Sequence, residues 1–337
     1  MMRRSILLLV LSACALFWTL VSPRVASANS LELKMATLAP KGSAWAKAME
    51  KNAKDVEEKT AGRVKFKYFF GGQQGDERDV VRKIKLSQLD GAAVTAVGLS
   101  LIKGDVRVLE LPFMFRTDRE LDLVRDKLAK DFEKQFEDAG YVLLAWGDVG
   151  WVHLFTNVSV GGRADLAKTK MWAWTDDIIV RSFFKRLGIN GVPLGVPDVL
   201  PSLQTGLINA CYGSPLAAVA LQWYTKIKYG TSLPVSYSIG AMVLKKETWN
   251  KLSPEDQKIL RETASVLGSD LMKLVRKDNE RARKAMEKSG VQFVQVPAAM
   301  LADIEKEGRA VWDELVGKLY SKELLEKVKK TLAEARK

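Results

Sequence analysis

The fold is decided by residues 31–72, LELKMATLAPKGSAWAKAMEKNAKDVEEKTAGRVKFKYFFGG. Leu31 to Thr37 alternates apolar and polar residues in the way of a β-strand, and the run that begins at Gly42-Ser43 has apolar residues at helical spacing. Val64 to Phe70 alternates again and ends at two glycines. A strand, a helix and a second strand in this order predict an α/β protein.

The same alternation continues along the chain. Further strands are predicted at 92–97, 141–146, 151–156, 170–174, 235–245 and 291–296, and further helices at 75–86, 118–139, 177–187, 197–207 and 215–226. The pattern restarts near 147–150, and the strand at 235–245 contains Gly240. We interpret both places as strands that cross between two lobes.

A long helix is predicted in the last third of the chain. Ser253-Pro254-Glu255-Asp256 combines a capping serine, a proline at the first helical position and an acid three residues after the cap. The helix continues to about Lys288, far longer than the mean of ~11–12 residues in globular proteins. A helix of this length can brace both lobes.

The first 28 residues have the features of a secretory signal. Arg3 and Arg4 precede an apolar segment from Ile6 to Val21, and Ala26-Ser27-Ala28 forms a small-residue cleavage site. The apolar segment is shorter than the ~20 residues of a membrane span. We therefore predict a signal peptide over residues 1–28 and a periplasmic mature protein, with an uncleaved anchor as the alternative.

A second interpretation of this segment concerns Cys14. Leu11-Ser12-Ala13-Cys14 resembles a lipobox, which would make the protein a membrane-anchored lipoprotein. The residues after Cys14 stay apolar, whereas lipoproteins turn polar there, so cleavage after Ala28 is favoured and lipidation is the alternative. The other cysteine is Cys211, so no internal disulfide is expected in the mature chain.

Charge and motifs argue against catalysis and nucleic-acid binding. The net charge of +13 is spread along the chain and no recognition motif accompanies it. His153 is the single histidine, which excludes a zinc site built from several histidines. No H-E-x-x-H, G-x-S-x-G or P-loop motif occurs. We predict no enzyme activity, metal or cofactor.

Six segments follow one another in a recognisable order and spacing. They are Gly71–Arg78 (GGQQGDER), Ile84–Gly91 (IKLSQLDG), Leu109–Phe115 (LELPFMF), Asp165–Lys170 (DLAKTK), Leu203–Ala210 (LQTGLINA) and Trp249–Glu255 (WNKLSPE). The set resembles the DctP family of substrate-binding proteins that serve tripartite ATP-independent periplasmic (TRAP) transporters.

The resemblance implies a two-lobed, periplasmic-binding-protein-like α/β fold with crossing strands, a ligand cleft between the lobes and a long C-terminal helix that braces both. We predict lobe I from residues 29–150 and 239–278 and lobe II from residues 151–238 and 279–337.

The sequence departs from the family where relatives bind organic acids. Such relatives have an arginine, in the strand after the 165–170 segment, that pairs with the ligand carboxylate; Trp172 stands at this position here. Val152 replaces a second arginine, Gly213 replaces an asparagine, and Leu38 replaces a polar residue of the first loop.

These changes favour a ligand with apolar surface. In relatives with the arginine, its pair with the ligand carboxylate supplies charge and two directed hydrogen bonds. With apolar residues at these positions, binding gains instead from covering apolar ligand surface, about 2.5 kcal/mol for ~100 Å². We predict a cleft lined by Trp172, Val152, Leu38 and Gly213, with Thr95, Trp151, Trp174 and Tyr212 as neighbours. The alternative for Trp151 and Trp174 is packing in the core. The hypothesis fails if Trp172 lies outside the cleft or if another cation takes the arginine's role.

The predicted function is an extracytoplasmic receptor of a TRAP-type transporter. It would close over a small apolar or amphiphilic ligand, with a quaternary ammonium as one candidate, and deliver it to the membrane permease. A subgroup of relatives without the arginine occurs beside a tetratricopeptide-repeat protein, so the alternative is a hydrophobe-handling scaffold acting with such a partner. A periplasmic enzyme is the least favoured alternative.

Overall fold

The computed structural model describes residues 30–337. The predicted signal peptide and the lipidation site at Cys14 lie outside the described residues. Within residues 30–337, no helix has the length and apolar character needed to span a membrane.

The described chain alternates strands and helices, as its sequence predicts. The strands are β1 (Leu31–Ala36), β2 (Val64–Phe69), β3 (Gly91–Thr95), β4 (Tyr141–Thr156), β5 (Trp172–Trp174), β6 (Val192–Leu194), β7 (Ala210–Gly213), β8 (Tyr229–Thr231), β9 (Ser236–Lys245) and β10 (Gln292–Val294). The α-helices are α1 (Ala44–Lys59), α2 (Glu77–Lys85), α3 (Ala96–Ser100), α4 (Asp118–Asp138), α5 (Arg163–Ala167), α6 (Ile178–Leu187), α7 (Val196–Thr205), α8 (Pro215–Ala220), α9 (Lys246–Trp249), α10 (Pro254–Lys288), α11 (Ala298–Glu314) and α12 (Lys322–Ala335). Two 3₁₀ helices span Gly104–Glu110 and Trp223–Lys226.

Strand pairing divides the molecule into two lobes. In lobe I, β1 pairs in parallel with β2 and β3, and β3 pairs antiparallel with β9. In lobe II, the end of β4 pairs antiparallel with β7 and β8, β8 pairs with β10, and β5 pairs with β6. β4 and β9 pair with each other over ten residue pairs and run through both lobes.

The first crossing is one long strand rather than two short ones. The sequence predicts separate strands at 141–146 and 151–156, but β4 is continuous over 16 residues. Its pairing with β9 shifts register between Leu143 and Ala145 and again between Asp148 and Gly150. Bulges of this kind bend a strand and increase its twist without ending it. Gly150 has φ of +119°, a backbone conformation that glycine adopts at little cost.

The predicted long helix is present as α10, which covers 35 residues. The side chain of Ser253 accepts a hydrogen bond from the backbone N–H of Asp256, as expected of a helix cap. α10 packs on α1 of lobe I, on β4 and on α8 of lobe II. Its Gly268 lets the helix approach β4 closely, since a Cβ there would lie 2.9 Å from the carbonyl oxygen of Trp146. α10 therefore supports both lobes and the crossing strand.

The C-terminal helix α12 returns to lobe I. It packs on α4 and on the 3₁₀ helix 104–110, and Lys327 forms an ion pair of 2.6 Å with Asp131 of α4. The predicted lobe II range of 279–337 is therefore too long by this helix. Its amphipathic pattern predicts a helix but gives no information about which lobe covers its apolar face.

Candidate functional site

A cavity of about 220 Å³ lies between the two lobes. Lobe I contributes the loop after β1, the ends of β3 and the 3₁₀ helix 104–110, and lobe II contributes β5, β7 and α6. The crossing strands β4 and β9 form its base. A cleft at this position is where a two-lobed protein can enclose a small ligand.

The lobe II wall is a cluster of stacked aromatic rings. Trp172 stacks on Tyr212 with ring centroids 4.7 Å apart and an interplanar angle of 17°. Trp174 lies 6.0 Å from Trp172, and Trp223 meets it edge-on at 5.2 Å. The indole N–H of Trp172 donates to the backbone oxygen of Leu194 at 3.0 Å. These contacts hold the Trp172 ring, whose residue is only 2% exposed, in one orientation.

Seven of the eight predicted site residues line this cavity. They are Leu38, Thr95, Val152, Trp172, Trp174, Tyr212 and Gly213. Gly213 leaves room for the aromatic cluster, because a Cβ there would lie 3.3 Å from the ring of Trp223. The structure brings these residues together, and their contact with a ligand stays a prediction.

Trp151 lies outside the cavity lining. Its ring packs edge-on against Tyr237 at 4.9 Å, and its indole N–H donates to the Oδ1 atom of Asp118 at 2.8 Å. The side chain of Trp151 thus has the packing role that the sequence left open as its alternative. Neighbouring residues of a strand face opposite sides, so Val152 reaches the cavity and Trp151 does not.

The lobe I wall contains a buried arginine that is not among the site residues predicted from the sequence. Arg107 is 1% exposed and lines the cavity. Its Nη2 atom donates to Oδ1 of Asp177 at 2.7 Å, and its Nε atom lies 3.2 Å from Oε2 of Glu110. Asp177 also accepts the backbone N–H groups of Ile179 and Val180 and so caps α6. The contact between Arg107 and Asp177 joins lobe I to lobe II.

The cleft is therefore lined by a cation, which lies at a position other than that of Trp172. Two carboxyl groups, those of Glu110 and Asp177, lie against the guanidinium of Arg107. Burial raises the pKa of Glu110, with Asp177 adding to the rise and Arg107 opposing it. A charge within an apolar run, Val106-Arg107-Val108-Leu109, is the sequence signal that could have identified the residue.

Two further carboxyl groups line the cavity. Glu77 accepts hydrogen bonds from the backbone and hydroxyl of Thr95 and from the backbone N–H of Gly98, at 2.6–2.8 Å. Burial raises the pKa of Glu77 to about 8, although these hydrogen bonds oppose the shift. Asp148, on β4, accepts from Arg125, Arg276 and the hydroxyl of Tyr237. Each of these carboxyl groups already has protein donors.

Contacts across the cleft hold the lobes together. The indole N–H of Trp174 donates to Oδ2 of Asp76 at 2.7 Å. Arg78 pairs with Asp176 beside it, with Nε 2.8 Å from Oδ1. Both contacts join the start of α2 in lobe I to the end of β5 and the loop after it in lobe II, so the lobes are closed on each other.

The remaining candidates for reactive chemistry lie away from the cavity lining. The Nδ1 atom of His153 lies 2.7 Å from the backbone oxygen of Thr231, and burial lowers the pKa of this histidine to about 4. Cys211 is fully buried, which raises the pKa of its thiol. Among the described residues, no group of His, Cys, Asp and Glu side chains is arranged to hold a metal ion.

Comparison with known families and sequences gives consistent matches. The sequence profile of the DctP family, described as bacterial extracellular solute-binding protein family 7, matches residues 35–319. A solute-binding protein of Chromohalobacter salexigens is 24% identical over 252 residues, which cover 74% of this chain and 75% of the relative. The 2,3-diketo-L-gulonate-binding periplasmic protein YiaO of Escherichia coli is 24% identical over 242 residues, covering 71% and 73%.

Solved structures share the fold. A TRAP periplasmic solute-binding protein of Ralstonia eutropha with bound (S)-2-acetolactate superposes with a TM-score of 0.84 at 23% identity, covering 90% of this chain and 99% of that one. The sugar acid binding protein DctPAm of Advenella mimigardefordensis in complex with galactonate gives 0.85 at 19% identity, covering 91% and 99%. At sequence identities of 23% and 19%, these superpositions show that the fold is shared.

Proposed function

The chain belongs to bacterial extracellular solute-binding protein family 7, DctP, and from this premise we propose that it is the periplasmic receptor of a TRAP-type transporter. It closes over a small solute with an apolar or aromatic body and delivers that solute to a membrane permease. The observation that carries this proposal is the aromatic wall built around Trp172 in the cleft between the lobes.

The aromatic wall favours an apolar ligand surface over a small acid. Trp172 stands where the resemblance places the arginine that pairs with a ligand carboxylate. Placing a carboxylate against an indole removes water from the anion without a new counter-charge, at a cost of several kcal/mol. Covering ~100 Å² of apolar ligand surface at the same place gains about 2.5 kcal/mol. The acids bound by the relatives named above are therefore poor models for this ligand.

Closure accounts for both binding and delivery. A ligand that contacts both lobes stabilises the closed form relative to the open one. Here Trp174 and Asp177 of lobe II already meet Asp76 and Arg107 of lobe I, so the closed form has its own contacts. A receptor of this type needs only the equilibrium between its open and closed forms. A permease can shift this equilibrium by binding the closed form. A tetratricopeptide-repeat partner stays a prediction.

Ligand titration followed by tryptophan fluorescence and small-angle scattering tests the proposal. Five of the nine tryptophans line the cavity, so binding should change the fluorescence. We expect a hydrophobic probe such as 1-naphthol to bind and to reduce the radius of gyration. Trp172→Ala should weaken its binding at least tenfold, whereas Trp172→Phe, which keeps an aromatic ring, should weaken it less.

Trp249→Phe serves as the control, because this ring lies outside the cavity against Arg261. Circular dichroism shows whether each variant remains folded. Tight binding of a plain dicarboxylate that Trp172→Ala leaves unchanged would contradict the proposed role of the aromatic wall. Binding without any change in the scattering profile would contradict the receptor mechanism.

A further inference from the structure

Five strands of lobe II have one end at the same edge of that lobe. The backbone oxygen of Lys170 accepts the N–H of Asn209 at 3.0 Å, and the oxygen of Asn209 accepts the N–H of Asn157 at 2.8 Å. On the other side of β4, the N–H of Lys228 donates to the last residue of that strand, and the oxygen of Lys228 accepts the N–H of Gln292 at 2.8 Å. The end of β4 and the starts of β5, β7, β8 and β10 therefore lie side by side.

This edge lies at the end of lobe II that is away from the cavity. β5 and β7 carry Trp172 and Gly213 to the cavity, whereas the residues that precede each strand lie at the edge. α7 runs in the opposite sense, from Val196 at the cavity towards Gly206, whose backbone oxygen accepts a hydrogen bond from the side chain of Lys170 at 3.3 Å. A partner bound at this edge leaves the cleft free.

Exposed lysines are the shared feature of the segments that meet at this edge. The set, which we call the lysine edge, consists of Lys168, Lys170, Lys226, Lys228 and Lys288. Within residues 30–337, none of the five forms an ion pair with an acidic side chain, and ion pairs of lobe II are made by other cations such as Arg163 and Arg186. The lysine edge thus carries positive charge that the described protein does not neutralise.

The acidic side chains nearest to these lysines in the sequence have other partners. Asp165 accepts the backbone N–H of Gly161 at 3.2 Å, and Glu287 lies 3.3 Å from the Nε atom of Arg283. Residues 151–238 contain eight Lys and Arg against four Asp and Glu, whereas residues 30–150 contain 21 against 20. Because four of those eight cations belong to the lysine edge, the edge accounts for much of the positive charge of lobe II.

Two exposed apolar side chains accompany the lysines. Leu207 is 52% exposed and Val158 is 42% exposed. They lie beside the hydrogen bond that joins Asn157 to Asn209, so they share the edge with the lysines. Apolar side chains next to lysines are typical of surfaces that bind membranes, because the lysines attract anionic headgroups and the apolar groups enter the boundary of the bilayer.

The kind of cation indicates a spread-out anionic surface. An arginine fork is the group that recognises a single carboxylate or phosphate, whereas lysine acts as a point charge. The cations of this edge are lysines distributed over the ends of several strands, and they do not line the cavity between the lobes. This arrangement fits many headgroups side by side better than one bound anion.

We propose that the lysine edge of lobe II binds the anionic lipid headgroups of a membrane surface, with Leu207 and Val158 entering the headgroup region. Each lysine near an anionic membrane strengthens binding roughly fivefold at low salt. Bound in this way, the receptor stays next to the membrane while its cleft remains accessible to solute. The inference goes beyond the proposed receptor function and does not depend on the identity of the solute.

Flotation with lipid vesicles tests the inference. The protein is used without its predicted signal peptide, so that it begins at Asn29 and contains every described residue. Vesicles with about 30% phosphatidylglycerol in phosphatidylcholine should bind it at least tenfold more strongly than pure phosphatidylcholine vesicles. Raising the salt concentration from about 0.05 M to about 0.5 M should remove most of this binding, because salt screens the attraction.

Substitutions locate the binding surface. Lys226→Gln together with Lys228→Gln should weaken binding to the anionic vesicles about tenfold or more. The matched control is Lys47→Gln together with Lys54→Gln, which removes the same charge from exposed positions of α1 in lobe I and should change binding less than twofold. Leu207→Ser should weaken binding about threefold, since it removes an apolar group and no charge. Circular dichroism checks that each variant is folded.

Four results would overturn the inference. They are equal binding to both kinds of vesicle, an equal loss in the lobe I control variant, a preference for poly-L-glutamate over the anionic vesicles, and stronger competition by inorganic phosphate than by chloride at equal ionic strength. The third result would indicate an acidic protein as the partner, and the fourth a site for a single phosphate. Solute binding is measured without vesicles, so the receptor function and the membrane contact can fail separately.

Discussion

The two walls of the cleft are built on opposite principles. Lobe II presents aromatic rings that stack on one another around Trp172, with few polar atoms among them. Lobe I presents the buried ion pair of Arg107 and Glu110 and the hydrogen-bonded carboxyl group of Glu77. Burial of apolar rings is favourable by itself, whereas buried charges are tolerated only with partners.

The difference assigns separate tasks to the two walls. A ring cluster offers contact area with little directional preference, so lobe II suits the body of a ligand. The buried charges of lobe I are held in place by their protein partners, so this wall is organised by directed pairing within the protein. Because Asp177 of lobe II completes the ion pair of lobe I, closure also completes the polar wall.

The largest effect should follow from removing the buried cation. Arg107→Met leaves Glu110 and Asp177 buried without their counter-charge, and we expect it to lower the free energy of unfolding by about 3–5 kcal/mol. Trp172→Phe in the opposite wall leaves no unpaired charge and should cost less. Urea unfolding followed by circular dichroism measures both changes.

A second substitution identifies the cause of that loss. If the cost of Arg107→Met is an unpaired charge, then adding Glu110→Gln should recover part of it, because one buried carboxylate is removed. If the cost is instead lost packing, the double variant should be no more stable than Arg107→Met alone. An Arg107→Met protein as stable as the wild type would show that the ion pair does not hold the lobe I wall together.

The aromatic wall of lobe II could be predicted from the sequence, whereas the buried ion pair of lobe I could not. Trp172 and Gly213 come directly after two segments that follow the family pattern, and Val152 lies in the first crossing strand, so each could be compared with the family's residue at that place. The family assignment that supports this reasoning is confirmed by the match over residues 35–319. The role of Arg107 depends on a partner 70 residues later in the chain, and no local pattern contains such a pairing.

The same limit applies to the fold. Long periodic segments such as α10 are predicted well, because many residues contribute to one signal and Ser253 marks the start. β6, β7 and β8 have three or four residues each and were all missed, because so few residues give only a weak alternation. The bulges that keep β4 continuous depend on its pairing with β9, which the sequence of one strand does not contain.

A smaller effect should follow from weakening a contact between the walls. Trp174→Phe removes the donor to Asp76 but keeps a ring in the aromatic cluster. A hydrogen bond to a charged group contributes about 1.5–3 kcal/mol, and this one is lost when the lobes open. We therefore expect a lower fraction of closed protein and about tenfold weaker binding of a ligand that requires closure.

Small-angle scattering measures the fraction of closed protein, and calorimetry on the same samples measures the ligand affinity. Asp76→Asn is the matched variant, because the amide oxygen can still accept from Trp174 while the charge is gone. The double variant shows whether the two residues act through each other. Equal closure in Trp174→Phe and the wild type would mean that the contact does not stabilise the closed form.

The smallest effect should come from the exposed ion pair at the rim of the same walls. The side chain of Arg78 is 65% exposed, whereas that of its partner Asp176 is 6% exposed. Exposed pairs contribute about 0–1 kcal/mol and are screened by salt, so Arg78→Ala should change ligand affinity less than about fivefold. Arg78→Glu places like charges across the cleft and should raise the rate of ligand release. This increase should be larger at low salt than at high salt, because salt screens the repulsion. Stopped-flow fluorescence at two salt concentrations measures this. A large, salt-independent loss in Arg78→Ala would mean that the rim, rather than the two walls, determines closure.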